Sequence, residues 1–446
     1  MLHSIEEIIH NLSGMVWGPP MLILLFGTHI YLSFQLKFLQ FRSLPLAIKI
    51  LFSKSNADGD ISHFSALMTA LAATVGIGNI VGVATAITLG GPGAIFWMWL
   101  TGLLGMSTKY CEGLLAVKYR IKGKNGMQGG PMYYLTKGLN KYWLACFFSV
   151  FTIFAAFGSG NMVQANATST VFKSAFNIPP ELTGIILSFL AGIVIIGGIK
   201  SIGRFASIFV PIMIILYLVT TSIVLIINSG KIPEALNLIF SGAFNGTAAT
   251  GGFIGATIAA AIRFGVARGL FSNESGLGSA AIAAASAKTN DPVRQALVSM
   301  TGTFIDTIVV CTMTALVILT SGLWDTGINA AELTSKSVES ALGYPGEIII
   351  AIATAFFAFS TLIGWCFYGE RALEFLFGPK SVIVYRIVFT ILVFIGSTMS
   401  LSLVWNFSDI MNGMMAIPNL IGLIFLCKVV KNETNRFFVE QNKSKG

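Results

Sequence analysis

The sequence predicts an all-α integral membrane protein of about eleven transmembrane helices, arranged as a 5+5 inverted repeat behind one extra N-terminal helix. The first helix of each repeat is expected to be discontinuous. Three observations lead there. Of 446 residues, 54% are hydrophobic and 11% charged, and a mean hydropathy of +0.79 exceeds what a soluble core can conceal. Apolar stretches follow one another to the end of the chain, with no polar run longer than a loop. Two of them are interrupted by short polar, glycine-rich segments, Ala73-Thr74-Val75-Gly76-Ile77-Gly78-Asn79 and Gly269-Leu270-Phe271-Ser272-Asn273-Glu274-Ser275-Gly276. In lipid, an unwound segment is tolerated only where its freed backbone groups serve a cavity or a ligand, so paired breaks point to a transporter.

A crossing takes roughly 20 residues, and stretches of that order fall near 15–36, 64–88, 93–117, 143–171, 183–199, 205–228, 250–287, 297–321, 347–369, 382–404 and 409–429. The start of the chain, Met1-Leu2-His3 with Glu6 and Glu7, lacks the basic region and cleavage site of a secretory signal, so the first stretch is expected to be retained. The second contains the first break. The seventh is too long for one straight crossing, as expected of two half-helices around an irregular centre. Four segments follow from this reading: residues 1–63 with the extra helix and a cytoplasmic loop, a first repeat over 64–228, a second over 229–430, and a tail over 431–446.

The net charge of +9 marks topology rather than nucleic acid, because the basic residues are scattered through connecting segments. Lys37, Arg42, Lys49 and Lys54 follow the first stretch, Lys118, Arg120, Lys122, Lys124, Lys137 and Lys141 the third, and Lys200 and Arg204 the fifth. Lys288 and Arg294, then Arg371, Lys380 and Arg386, then Lys428, Lys431 and Arg436 share that side, while Asp325, Glu332, Glu339 and Glu347 occupy the other. The positive-inside rule then gives a plasma-membrane protein with its N-terminus outside and its C-terminus cytoplasmic. With the first stretch set aside, the two breaks head two groups of five that run in opposite directions. That is the inverted repeat, resting on span order rather than on similarity between the halves.

Other classes fit poorly. Cys111, Cys146, Cys311, Cys366 and Cys427 form no close pair and suggest free thiols, without a disulfide framework or metal knuckle. His3, His10, His29 and His63 all precede the first break, and no nucleophile–base motif appears, so an enzyme is not expected. A channel would show repeated pore loops, and a sensor a soluble module for which the tail after residue 430 leaves no room.

The first break offers successive N–H groups at Ile77, Gly78 and Asn79 at the head of a half-helix, a setting that favours a carboxylate. Gly76 and Gly78 permit close backbone approach, Thr74 adds a hydroxyl, and Asn79 adds an amide donor and acceptor. Glycine packing between helices is the competing reading. Ser360 and Thr361 in the ninth stretch can pair with carbonyls of Ala72 and Val75 to hold a monovalent cation such as Na+, or can simply bond back to their own helix. Charges inside spans are costly enough to be functional by default. Glu274 can gate the path or tie the second break, and Arg263 and Arg268 can close the outer vestibule, attract a carboxylate, or pair with Asp306 or Glu274. Asn161 and Gln164 place amides mid-span in the fourth stretch, where Gln164 serves either a ligand or a neighbouring helix.

Four blocks carry a resemblance. Gly90-Gly91-Pro92-Gly93-Ala94-Ile95-Phe96-Trp97-Met98-Trp99-Leu100-Thr101-Gly102-Leu103-Leu104-Gly105, with the segments Gly76 to Ala84, Phe271 to Ser279 and Ser360 to Trp365, resembles the alanine or glycine:cation symporter family, sodium:alanine carriers of leucine-transporter-type fold. The resemblance spans about residues 15–430. It implies sodium-coupled import of alanine or glycine by alternating access, with Na+ as the coupling ion and no organic cofactor. By that likeness Thr74, Ile77, Gly78 and Asn79 surround the substrate carboxylate, Gln164 and Phe271, Ser272 and Asn273 frame the amino group and side chain, and Thr361 and Trp365 bound the pocket. The cation sits with Ala72, Val75, Phe357, Ser360 and Thr361. Ile77 stands where relatives commonly have threonine and Ser275 where alanine is common, which leaves pocket detail open. A bulky Trp365 beside Phe271 favours a small zwitterion over leucine. The expected partners are that small molecule and the lipid bilayer, without nucleic acid; no oligomeric state follows.

Overall fold

The computed structural model describes residues 2–53, 57–124, 126–245 and 257–443. Lys54, the head of the seventh stretch at 250–256 and the tail end at 444–446 lie outside the described residues. The chain opens with α1 (Leu2–Val16) and α2 (Pro19–Gln35), where Pro19 supplies a pre-set φ at the first helical position. Short helices α3 (Leu39–Arg42) and α4 (Leu44–Leu51) lead to α5 (His63–Thr74), whose N-terminus is capped by the Ser62 hydroxyl accepting from the Ser65 N–H. The helix stops where Val75 turns extended, at φ −77° and ψ 93°. Gly76, Ile77 and Gly78 supply the weak helix propensity expected of such a break. A π turn over Gly78–Gly82 and α6 (Val83–Gly90) then resume the path, bent 52° from α5.

Next come α7 (Ala94–Lys118), the hairpin of β1 (Ile121–Gly123) and β2 (Gly126–Gln128), and α8 (Pro131–Lys137). α9 (Tyr142–Phe157) runs through a π turn at Gly158–Met162 into α10 (Val163–Phe176), followed by α11 (Pro180–Ile196) and α12 (Gly198–Ile227). After α13 (Ile232–Asn245), the second broken helix consists of α14 (Ile258–Asn273) and α15 (Ser279–Ala284). Between them Glu274, Gly276 and Gly278 all have positive φ, at 56°, 102° and 79°. The two glycines adopt that region freely, whereas Glu274 does so against the preference of a side chain with a Cβ. α16 (Pro292–Thr303) passes through a π segment at Phe304–Cys311 into α17 (Thr312–Ser321); α18 (Ala330–Leu342), α19 (Tyr344–Phe377), α20 (Ser381–Thr398) and α21 (Leu401–Lys443) complete the order.

Among the described residues, seven helices are long and apolar enough to cross a membrane, and the bent α5–α6 pair makes an eighth. The remaining apolar stretches are a short helix (α11), an interrupted one (α14–α15) and one with buried charges (α7). Lipid is the evident solvent. Ile185, Phe189 and Ile193 of α11, Ile208, Ile212, Ile215 and Val219 of α12, and Ile383, Ile387 and Ile391 of α20 are all exposed at helical spacing. Apolar faces of that extent are not carried into water. Inside, α7 packs most extensively on α16 and α14, so the charged helix lies against the second broken one.

Just beyond α7, Arg120 gathers four carbonyls: Asp58 at 2.9 Å, Ala285 at 2.8 Å, Ala287 at 2.7 Å and Thr289 at 2.6 Å. A parallel bridge joins Ile61 to Ala287 in the same place. The segment entering α5 is thereby fastened to the segment leaving α15. Partial burial pulls the Arg120 pKa down from its ordinary value, with Asp60 and Asp58 pulling it back up.

Candidate functional site

The two breaks meet in the interior. An added Cβ at Gly78 would lie 3.0 Å from Ser272 Cα and 3.1 Å from the Phe271 ring, so the first break rests directly on the end of α14. At Gly76 the same atom would collide with Thr361 Oγ1 and approach Gln164 Oε1 at 3.3 Å. At Gly160 it would collide with Trp365. Glycine at these positions is thus a packing requirement that lets α5, the π turn before α10, α14 and α19 converge. Thr74, Ile77, Gly78, Asn79, Gln164, Phe271, Ser272, Asn273, Thr361 and Trp365 are all buried.

Neutral amides close the first break. Asn79 Oδ1 accepts from the Gly76 N–H at 2.9 Å, and Gln164 Oε1 accepts from the Ile77 N–H at 3.2 Å. Gln164 is itself positioned by donating to the Ser159 carbonyl at 2.9 Å. Thr74 donates to the Ala70 carbonyl of its own helix at 3.1 Å. Asn161 donates to the Phe389 carbonyl at 2.6 Å and so joins two helices.

Asp306 binds the breaks to each other. Its fully buried carboxylate accepts from Asn79 Nδ2 at 2.8 Å in the first break, from the Ser272 hydroxyl at 2.9 Å in the second, and from Thr307 Oγ1 at 2.8 Å. Among the described residues no Lys or Arg forms an ion pair with it. Asn273 Nδ2 donates to Thr307 Oγ1 at 3.0 Å, which extends the network along the π segment. The eight-residue π segment places Asp306 and Thr307 together on the face toward the breaks, and such segments commonly accompany function.

For the cation, α19 runs beside the end of α5. Gly364 rests on Ala73, and Thr361 faces Gly76. Ala72, Val75, Phe357 and Ser360 are buried, and Phe357 packs its ring 5.3 Å from that of Tyr217. Ser360 donates to the Phe357 carbonyl at 2.9 Å, the back-bonded alternative, whereas Thr361 Oγ1 is buried without a partner. An unsatisfied buried hydroxyl beside the carbonyls of an unwound turn suits a monovalent ion coordinated by oxygens. The residues fit Na+ on that ground.

The charges distribute unexpectedly. Arg268 pairs with Asp409 of α21, not with Asp306 or Glu274, and its guanidinium stacks 4.7 Å over Trp405 and 5.6 Å over Phe271. Arg263 lies 5.3 Å over the ring of Phe264. Glu274 accepts from the Ser279 hydroxyl at 2.6 Å and so links the two sides of the second break. Sequence reasoning passes over Lys109 and Glu112, both buried in α7, although the rule that flagged the other intramembrane charges applies to them equally. Asp409 and Asn419 carry weaker signals, since α21 reads as a continuous apolar span.

Gly160→Ala tests the Trp365 contact. The methyl group drives α10 and α19 apart at the pocket wall, and overpacking of this kind costs about 1–3 kcal/mol. The purified variant should unfold at a lower temperature than wild type, and an unchanged melting temperature would show that the contact has room for a methyl group.

The chain is similar to known proteins along nearly its whole length. A family model described as the sodium:alanine symporter family matches residues 2–446. The sodium/alanine symporter AgcS of Methanococcus maripaludis is 52% identical over 452 residues, covering 98% of this chain and 99% of that protein. An uncharacterized transporter of Haemophilus influenzae is 51% identical over 440 residues, covering 98% and 96%. Among solved structures, MhsT in complex with L-phenylalanine superposes with a TM-score of 0.60 over 84% of this chain and 98% of that one; at 13% identity the likeness shows the fold alone, of leucine-transporter type. That family and these relatives are transporters, not enzymes, and the chain is a helical multi-pass membrane protein. The chain belongs to the sodium:alanine symporter family, and so to the sodium-coupled amino-acid symporters.

Proposed function

We propose that this protein imports alanine or glycine with Na+ by alternating access. The observation that carries the reading is the meeting of both helix breaks at one buried focus, where Gly78 lies on Phe271 and Ser272 while Asn79 and Ser272 share Asp306. The substrate carboxylate takes over the Ile77 N–H from Gln164 and lies near Thr74, Gly78 and Asn79. Gln164 then turns to the ammonium with Phe271, Ser272 and Asn273, and Thr361 and Trp365 bound a small side chain. Na+ binds among Ala72, Val75, Phe357, Ser360 and Thr361, drawing Ser360 from its back-bond and ordering the turn that receives the carboxylate.

The architecture proposed for this cycle has eleven crossings, with the extra helix within residues 1–63, inverted repeats over 64–228 and 229–430, and a tail from 431. The coincidence of each apolar stretch with a helical or broken-helical segment supports it. The N-terminus then lies outside and the C-terminus in the cytoplasm. Each entering cation gains about 2.3 kcal/mol per 100 mV, and a tenfold sodium gradient adds about 1.4 kcal/mol, so one ion sustains substantial accumulation.

Labelled alanine uptake into proteoliposomes tests the coupling. Accumulation is expected under an inward sodium gradient and absent when sodium is equal on both sides; equal uptake in the two conditions rejects it. A competition panel of glycine, L-alanine, D-alanine and leucine against the same label ranks the substrates, and effective competition by leucine refutes the small pocket.

A further inference from the structure

The two breaks are held by different kinds of bond. The first is closed by neutral side-chain amides, Asn79 on Gly76 and Gln164 on Ile77. The second is held by ions. Lys109 Nζ donates to the carbonyl of Asn273 at 2.8 Å, the last residue of α14, where the helix presents its negative end. Glu112 Oε1 accepts from the N–H groups of Gly276 and Gly278, each at 3.0 Å, the amides freed by the unwinding. The two residues are three apart on α7 and so share one of its faces. Each is buried, at 3% and 0% exposure. Among the described residues no ion pair joins them to each other, so each charge is turned toward the break instead of toward its neighbour. Asn419 locks the arrangement from α21 by donating to Glu112 at 2.7 Å and to the Gly276 carbonyl at 2.8 Å.

We propose that Lys109 and Glu112 are positioning residues that fix the second break in its unwound form by matching its carbonyl end with a cation and its amide end with an anion. The break then serves as a static wall of the pocket, and the rearrangement that accompanies binding falls on the first break. Chemistry supports that division. Hydrogen bonds to charged groups are worth more than neutral ones, so a substrate carboxylate gains by replacing the Gln164 amide on Ile77, whereas replacing Glu112 on Gly276 and Gly278 exchanges one carboxylate for another and leaves the first buried without those partners. Removing either charge leaves buried groups of the break without a partner, and Phe271, Ser272 and Asn273, immediately before it, lose their placement. This rests on the proposed substrate site for its link to transport, but the fixing of the break stands on its own geometry.

Hydrogen exchange by mass spectrometry on the purified full chain separates the two. In Glu112→Gln, exchange over residues 274–279 is expected to accelerate roughly tenfold or more, with the rest of the chain unchanged; unaltered exchange there overturns the proposal. The double variant Lys109→Glu with Glu112→Lys keeps net charge and spacing but presents each end of the break with the wrong sign. It should show the same local acceleration and a KM for alanine raised at least tenfold, with maximal uptake within twofold; wild-type behaviour in both readouts overturns the matching of sign. If that variant does not fold, Glu112→Gln and Lys109→Gln decide by the same local exchange. In the wild type, sodium with alanine should slow exchange over 76–79 and leave 274–279 within twofold; equal slowing at both breaks refutes the static wall. Failure of sodium-driven uptake in the wild type would remove the transport reading while leaving the exchange result intact.

Discussion

Gly76→Ala should reduce sodium-driven alanine uptake roughly fivefold or more. The new methyl group collides with Thr361 Oγ1 and crowds Gln164 Oε1 at 3.3 Å. Neither neighbour is the free end of a long chain: Thr361 is a short β-branched side chain on α19, and Gln164 is engaged at both ends of its amide. Relief must come from separating α5 and α19, and strain of about 1–3 kcal/mol corresponds to a loss of roughly five- to a hundredfold at about 1.4 kcal/mol per decade. The site of that separation is the proposed cation shell, so the sodium concentration for half-maximal uptake should rise more than the KM for alanine. A monodisperse protein with wild-type sodium dependence would remove Thr361 from the ion site.

Asp306→Asn is the second large effect. Three donors converge on that carboxylate, from Asn79, Ser272 and Thr307. An amide retains one acceptor oxygen and turns an NH2 group against donors that can no longer be satisfied, in a place no water reaches. The expected cost, about 1–3 kcal/mol, should appear as roughly a fivefold or greater loss of uptake, since Asn79 and Ser272 release their hold on each other. Wild-type uptake by Asp306→Asn would show that the link between the breaks is incidental. Ser272→Ala should lose less, because the remaining two donors still satisfy the carboxylate.

Much of this was legible in the residues. The positions of the apolar helices are legible from hydropathy, though not their lengths, since the stretch at 409–429 lies within the 43-residue α21, and the first break falls at Val75 where Gly76 and Gly78 are poor helix formers. The second break was legible for a different reason: Gly276 and Gly278 accept positive φ that the chain must adopt there. The contacts of Gly76 with Thr361 and of Gly160 with Trp365 come from the structure, because nothing local to α5 or α19 encodes which helix each will meet. Arg268 shows the limit most clearly. Its candidate partners were sought among charges in the middle of the sequence, yet Asp409 lies 141 residues away on α21, and only the three-dimensional packing of α14 on α21 brings the two together. Lys109 and Glu112 are legible as charges within an apolar stretch, but nothing local to α7 encodes that its one face will meet the second break.

The four carbonyls collected by Arg120 have a bearing on how the molecule opens. They fasten the segment entering α5 to the segment leaving α15. Under the proposed cycle neither inner half-helix can peel away by itself without forfeiting contacts of a half-buried guanidinium. Release toward that end therefore requires both to swing as a single hinged flap, with residue 120 as its rivet.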